Sequence, residues 1–339
     1  MEKSYVELAI VVAFFLRAGL CDAGAELRTF THDAMGSEFS FTISSQKEET
    51  DVRAMVDEAF AAVDALDERM SLWRANSEIS KVNARAAFES VSVSKEVADL
   101  IMFCQKTSKE TQGAFDVTIG PLSRLWGFAD PAHCVLGKGA IPSDDEIRCA
   151  LGLVGSDKVK LDASRGSLSF AHQGVALDFG GVGKGLALDL AADVLKRRGL
   201  TSAILSAGSS SMVAFGAPPG ESGWSVRIRD PRGRGESMEE VVLHDDSLST
   251  SGGYEKFFKA GGKRYCHIID PRLGRPVEGI VGVTVIGPTG VETDALSTAF
   301  FVMGENGTRD YCTRRPDIKA IIASEDKSSG GTRVSRIGD

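Results

Sequence analysis

The stretch Leu177-Asp178-Phe179-Gly180-Gly181-Val182-Gly183-Lys184-Gly185-Leu186-Ala187-Leu188-Asp189 constrains this chain more than any other. The mostly apolar run from Val175 to Phe179 predicts a strand end, and Leu186 to Leu195 has helical apolar spacing. Between them, four glycines in six positions enclose one lysine. A strand, a glycine turn and a helix start bring backbone N–H groups and a helix N-terminus up to an anion. Glycine lets the backbone approach a phosphate closely, and Lys184 adds a mobile positive charge. The standard phosphate loops do not fit. A Walker loop needs Ser or Thr after its lysine and Gly six before it, where this chain has Gly185 and Asp178. The Rossmann glycine spacing is missing as well. Taken alone, the stretch also describes a glycine-rich turn beside a solvated lysine.

A chain of 339 residues with 42% hydrophobic and 25% charged residues has ample material for one large domain or two closely packed ones. Its net charge of -8 argues against a nucleic-acid surface, because phosphate backbones need clustered Lys and Arg. A polyanionic small ligand would need a cation or a local positive site. The six cysteines form no CxxC pair, which fits neither a zinc pattern nor a disulfide framework. Residues 1–25 predict a secretory signal peptide. Lys3 precedes the apolar run Leu8–Leu16, Arg17 ends it, and Ala23-Gly24-Ala25 supplies a small-x-small cleavage site. Residues 26–339 then form the mature domain. The expected location is outside the cytoplasm, periplasmic or membrane-associated, with a cytoplasmic one left open.

Along the chain, Leu27 to Ser44 alternates around Met35-Gly36-Ser37 and predicts a hairpin. Asp51 to Met70 and Val93 to Gln112 have helical periodicity, with a polar loop from Ser71 to Asn83 between them. Gly120-Pro121 marks a turn, Ala132 to Ser143 a loop, and Asp144 to Leu151 a short helix. Lys158 to Phe170 reads as a hairpin about Ser164-Arg165-Gly166. Strands are expected at Ala203 to Leu205, Ser211 to Phe215, Trp224 to Arg229, Glu240 to Leu243, Val283 to Ile286 and Ile318 to Ala323, with a helix at Thr293 to Met303. Strands and helices come in blocks, so the fold class is α+β.

Three further constellations carry chemistry. If Thr293 to Phe300 starts a helix, Asp294 and Thr298 stand at i and i+4 on one face. A carboxylate and a hydroxyl side by side suit a hard cation such as magnesium, although a helix cap and a backbone-bonded threonine have the same pattern. His267 lies in a short strand before the turn Asp270-Pro271-Arg272-Leu273-Gly274, close to an aspartate, where a histidine can exchange a proton near neutral pH. Thr250-Ser251-Gly252-Gly253-Tyr254 supplies hydroxyls at another glycine turn.

In order and spacing, Met35-Gly36-Ser37, Ser71 to Asn83, Gly113 to Trp126, Asp178 to Asp189, Thr250 to Tyr254, His267 to Pro276 and Asp294 to Thr298 resemble the ApbE family of FAD:protein FMN transferases. The resemblance runs from about Phe30 to near Ala323. It implies a T-fold-related α+β fold of antiparallel sheets packed with helices. It implies a Mg2+-dependent enzyme that cleaves the FAD pyrophosphate and passes FMN to a threonine hydroxyl of an acceptor protein, releasing AMP. The acceptor would be a redox-pump subunit or another flavoprotein. In this resemblance Asp294, Thr298 and the carbonyl of Gly183 look like metal ligands, and His267 like the catalytic base. Met35, Trp73, Ala114, Phe115, Asp116, Lys184, Leu186 and Ile268 lie where the family meets FAD. Gly183, Ser37, Gly253, Leu273 and the Gly208-Ser209 pair depart from the residues usual there. Two other functions use the same residues: an FAD pyrophosphatase in which water replaces the threonine, and a flavin-binding protein without turnover.

Overall fold

The structure is a computed structural model of the 339-residue chain, and it describes residues 25–129, 141–229, 237–326 and 331–338. The expected leader and most of the loop expected at 132–143 lie outside the described residues. The chain folds as two compact units, each assembled from separated segments. Among the described residues, one comprises 25–66, 184–229, 237–249 and 286–293, and the other 67–129, 141–183, 250–285, 294–326 and 331–338.

In the first unit the strands Glu26–Ala34, Ser37–Ser45, Ala203–Ala207, Ser211–Phe215 and Ser247–Gly252 pair antiparallel in that order. The first hairpin turns at Met35 and Gly36, with φ of 51° and 68°. Two successive positive φ values give the tight turn that matches strand twist, and glycine takes the second at no steric cost. Phe39, Phe41 and Ile43 alternate inward and are buried. The helix Glu49–Met70 buries Val52, Val56, Ala59, Phe60 and Val63, the periodic set visible in the sequence. Its Phe60 ring stacks on Phe41 with centroids 4.4 Å apart, which fixes helix to sheet. Trp224 and Leu243 close a further hairpin, Trp224–Arg229 with Ser237–Leu243.

The second unit holds the helices Glu78–Arg85, Lys95–Glu110, Gly120–Leu125 and Asp144–Leu151. It also holds the expected hairpin, found as Val159–Asp162 with Ser167–Phe170. The strands Ile280–Gly287, Lys319–Asp326 and Gly331–Ile337 run side by side. Several expectations need correction. The polar loop ends early, because Ser77 accepts the Ser80 N–H and starts a helix at Glu78. Gly120-Pro121 opens a helix, since proline at a first helical position gives up an N–H that had no partner there anyway. The helix expected at Thr293 runs Gly290–Arg314 and breaks at Gly304, where φ is 67°. The last strand, Gly331–Ile337, has a mostly polar sequence and shows no apolar alternation.

Candidate functional site

Residues Val175–Phe179, expected as a strand end, form no ladder. Side chains and a neighbouring turn hold them instead. Asn83 Nδ2 donates to the Leu177 carbonyl at 2.9 Å, and Leu177 N–H donates back to Asn83 Oδ1 at 2.8 Å. Asp178 N–H donates to the Val117 carbonyl at 2.7 Å. A β-carbon on Gly120 would stand 2.8 Å from the Ala176 carbonyl oxygen, so only glycine allows this contact. These bonds satisfy the backbone that a sheet would otherwise pair. The helix then begins at Gly183, three residues earlier than the apolar spacing predicts, so Gly183, Lys184 and Gly185 form its first turn.

Within the second unit this glycine loop meets the Asp294–Thr298 face. A β-carbon on Gly181 would lie 3.1 Å from Thr298 Oγ1 and 3.7 Å from a Phe115 ring carbon. Thr298 Oγ1 is also 3.3 Å from Ser251 Oγ, which bonds Ser297 Oγ at 2.8 Å. Asp294 is 7% exposed, a carboxylate placed where an ionised group needs compensation. Gly183 is buried, and its N–H donates to the Phe179 carbonyl at 2.9 Å. A carboxylate, hydroxyls and a backbone carbonyl make an all-oxygen donor set, the kind hard divalent cations take. Among the described residues, no group of three or more His, Cys, Asp or Glu could hold a metal. The oxygen donors brought together at Thr298 are hydroxyls, those of Ser251 and Ser297, with Asp294 one helical turn earlier on the same helix.

Ala114 and Phe115 are buried at the end of the Lys95–Glu110 helix, where Gln112 and Gly113 have positive φ. Asp116 is a structural node. Its Oδ1 accepts from Thr118 N–H (2.8 Å) and Thr118 Oγ1 (2.6 Å), and its Oδ2 from Ser108 Oγ (3.1 Å) and Ser156 N–H (2.8 Å). Its carboxylate oxygens are thus engaged inside the protein, which leaves the main chain as the part of Asp116 suited to meet a ligand. Trp73 is 70% exposed beside the exposed Leu72, an aromatic face available for stacking.

His267 lies at a bend between the strands Lys263–Cys266 and Ile269–Asp270, not in a strand as expected. Its Nδ1 is 3.2 Å from the Lys256 carbonyl. A carbonyl only accepts, so in this contact the proton sits on Nδ1. The aspartate near it in sequence, Asp270, holds Arg272 through two parallel bonds of 2.9 and 2.8 Å. The bend rests on aromatic packing. Trp126 stacks with Tyr265 and donates from Nε1 to the Gly274 carbonyl at 2.8 Å, and Phe128 meets the His267 ring edge-on. Ile268, beside it, is buried.

In the first unit, Lys184 Nζ donates to Ser210 Oγ, and Gly208 N–H donates to the Glu38 carbonyl at 2.7 Å. The 208–210 turn therefore lies beside the Met35–Gly36 turn, and Lys184 reaches it. Leu186 is half-buried one residue beyond Gly185. Ser210, Asn83 and the Thr298 contact of Ser251 escape sequence reading, because each depends on a partner distant in sequence.

Fold and site together define an α+β protein in which a glycine-rich loop before a helix meets Thr298. The chain belongs to the ApbE family, whose model matches residues 35–322. It is 28% identical to the FAD:protein FMN transferase of Vibrio cholerae, over 88% of this chain and 87% of that one. Similar solved structures include the apo flavinyl transferase ApbE of Pseudomonas stutzeri (TM-score 0.81, 27% identity, 94% of this chain and 96% of that one). The ApbE protein of Thermotoga maritima is also similar (TM-score 0.82, 29% identity, 92% and 97%).

Proposed function

We propose that this chain is an FAD:protein FMN transferase that uses Mg2+ and a threonine of an acceptor protein. The observation that carries the reading is the approach of Thr298 Oγ1 to the glycine loop, 3.1 Å from a β-carbon position on Gly181. That contact joins the two motifs on which a metal–pyrophosphate site depends.

Asp294, Thr298 and the Gly183 carbonyl would hold the metal. When bound, it neutralises phosphate charge and so favours both attack and departure. Lys184 adds a second positive charge one residue beyond Gly183. The acceptor hydroxyl attacks the FMN phosphorus of FAD, the new P–O bond forms, and the bond to the AMP phosphate breaks. The hydroxyl proton passes to Nε2 of His267, whose Nδ1–H is held by the Lys256 carbonyl. AMP leaves as the anion. Trp73 offers an exposed ring of the kind that stacks on an isoalloxazine, and Met35, Ala114, Phe115, Asp116, Leu186 and Ile268 are the other residues that the family resemblance assigns to FAD.

The test is incubation with FAD, Mg2+ and a threonine-bearing acceptor fragment, read by mass spectrometry. The expected product is acceptor heavier by one FMN, with AMP released. Free FMN and AMP beside unmodified acceptor would make the protein a pyrophosphatase, and intact FAD a binding protein. Export follows from the leader motif at residues 1–25, and a secreted chain beginning at Glu26 is its expected mark.

A further inference from the structure

We propose that Asp189 is a positioning residue for the helix that bears Asp294 and Thr298, an inference that rests on the metal site proposed above. Asp189 sits two turns into the glycine-loop helix, at the end of its motif, and nothing in the transfer chemistry uses it. Its Oδ1 accepts the Gly290 N–H at 2.7 Å and its Oδ2 the Val291 N–H at 2.9 Å. These are N–H groups of the first turn, which have no partner inside the helix.

A simple cap is not needed here. Thr289 Oγ1 already accepts the Glu292 N–H at 3.4 Å, as a local cap does. What Asp189 adds is a tie from a different helix, 101 residues earlier in the chain. Gly290 makes that tie close. A β-carbon on it would stand 2.5 Å from the Gly185 carbonyl oxygen and 3.0 Å from both Asp189 Oδ1 and Val213 Cγ2. The metal-bearing helix therefore starts directly on the backbone of the glycine-loop helix.

The same turn is held from a second direction. Thr293 Oγ1 lies 3.1 Å from Ser247 Oγ and 3.2 Å from Ser249 Oγ, and all three side chains are fully buried. Two lateral grips on one turn fix rotation about the helix axis, which an end cap cannot do. Rotation matters for the residue that follows. With side-chain atoms roughly 5 to 6 Å from the axis, a turn of about 10° moves the Asp294 carboxylate by about 1 Å. Magnesium accepts little error from its near-octahedral distances of about 2.0 to 2.1 Å. Asp189 thus acts on the metal through helix orientation without touching it.

The experiment measures Mn2+ affinity of the full chain by electron paramagnetic resonance of the unbound ion, with Tm by calorimetry. Asp189→Asn keeps the shape but presents an N–H to a donor. It is expected to weaken Mn2+ binding about tenfold. Thr289→Ala removes the local cap, and is expected to lower Tm while leaving the affinity within twofold. If Asp189→Asn is not recovered folded, Gly290→Ala, which wedges the same contact, carries the same tenfold expectation. Unchanged Mn2+ affinity in Asp189→Asn, or equal losses in Asp189→Asn and Thr289→Ala, would overturn the positioning role and leave the metal site standing. A wild-type chain that binds no Mn2+ would remove the metal site and this role together.

Discussion

His267 is held by its Nδ1 on the Lys256 carbonyl and by the edge of Phe128, and neither partner is among the residues proposed to meet FAD. His267→Ala is expected to leave FAD affinity within about twofold and to slow transfer by about 10²- to 10⁴-fold, the usual worth of a general base. Flavin fluorescence and acceptor mass report the two quantities, and an unchanged rate rejects the assignment. At this scale the sequence is informative where chemistry is local. Asp294 and Thr298 are legible because four positions on a helix bring side chains to one face. Ser210 is not, since its meeting with Lys184 joins positions 26 apart. Gly253, where the family resemblance implies aspartate, has a physical context that composition hides. A β-carbon there would meet the Phe301 ring at 3.2 Å and Cys266 Cβ at 3.4 Å, and Arg264 donates to its carbonyl at 3.0 Å.

Between elements, the segment before the glycine loop is held by Asn83 in place of a neighbouring strand. Asn83→Ala loses both bonds to Leu177 and leaves buried backbone groups unsatisfied, at about 2 to 4 kcal/mol together. Urea unfolding measures that loss, and a change below about 0.5 kcal/mol would show that water replaces the amide. The apolar run there predicts a strand end because it reports burial alone, and a side-chain amide from position 83 cannot be read from it. Long periodic helices such as Glu49–Met70 are legible for the opposite reason: one face repeats over six turns. Asp189 makes a pH prediction. Burial first of all pushes its carboxyl up to about 6, against the two N–H bonds that pull it down. Between roughly pH 4 and 6 the folded chain holds a proton that the unfolded chain has released. Its contribution is therefore fully present below pH 4 and is lost as pH rises through 6. Asp189→Asn is expected to flatten that part of the stability–pH curve, by at most about 1.4 kcal/mol per pH unit. A wild-type curve no steeper than the variant's would reject the shift.

Across the whole molecule, the antiparallel α+β class is legible from blocks of strands and helices, while the two units are not. Each is assembled from segments separated along the chain, so no linker composition marks a boundary. FAD with Mg2+, each saturating, is expected to raise Tm. Ligand at 100-fold over its Kd stabilises the folded state by about 2.7 kcal/mol. Asp294→Ala should abolish the Mg2+-dependent part of that shift together with turnover, and a variant that keeps both would reject the ligand assignment. The chain passes from one unit to the other after Leu66, Gly183, Ser249, Val285 and Thr293. Two of those passages fall at peptide bonds that belong to the proposed ligands, Gly183-Lys184 and Thr293-Asp294. No single truncation can release either unit as a continuous polypeptide. Gene fusion or domain shuffling can therefore move this catalyst only as an undivided whole.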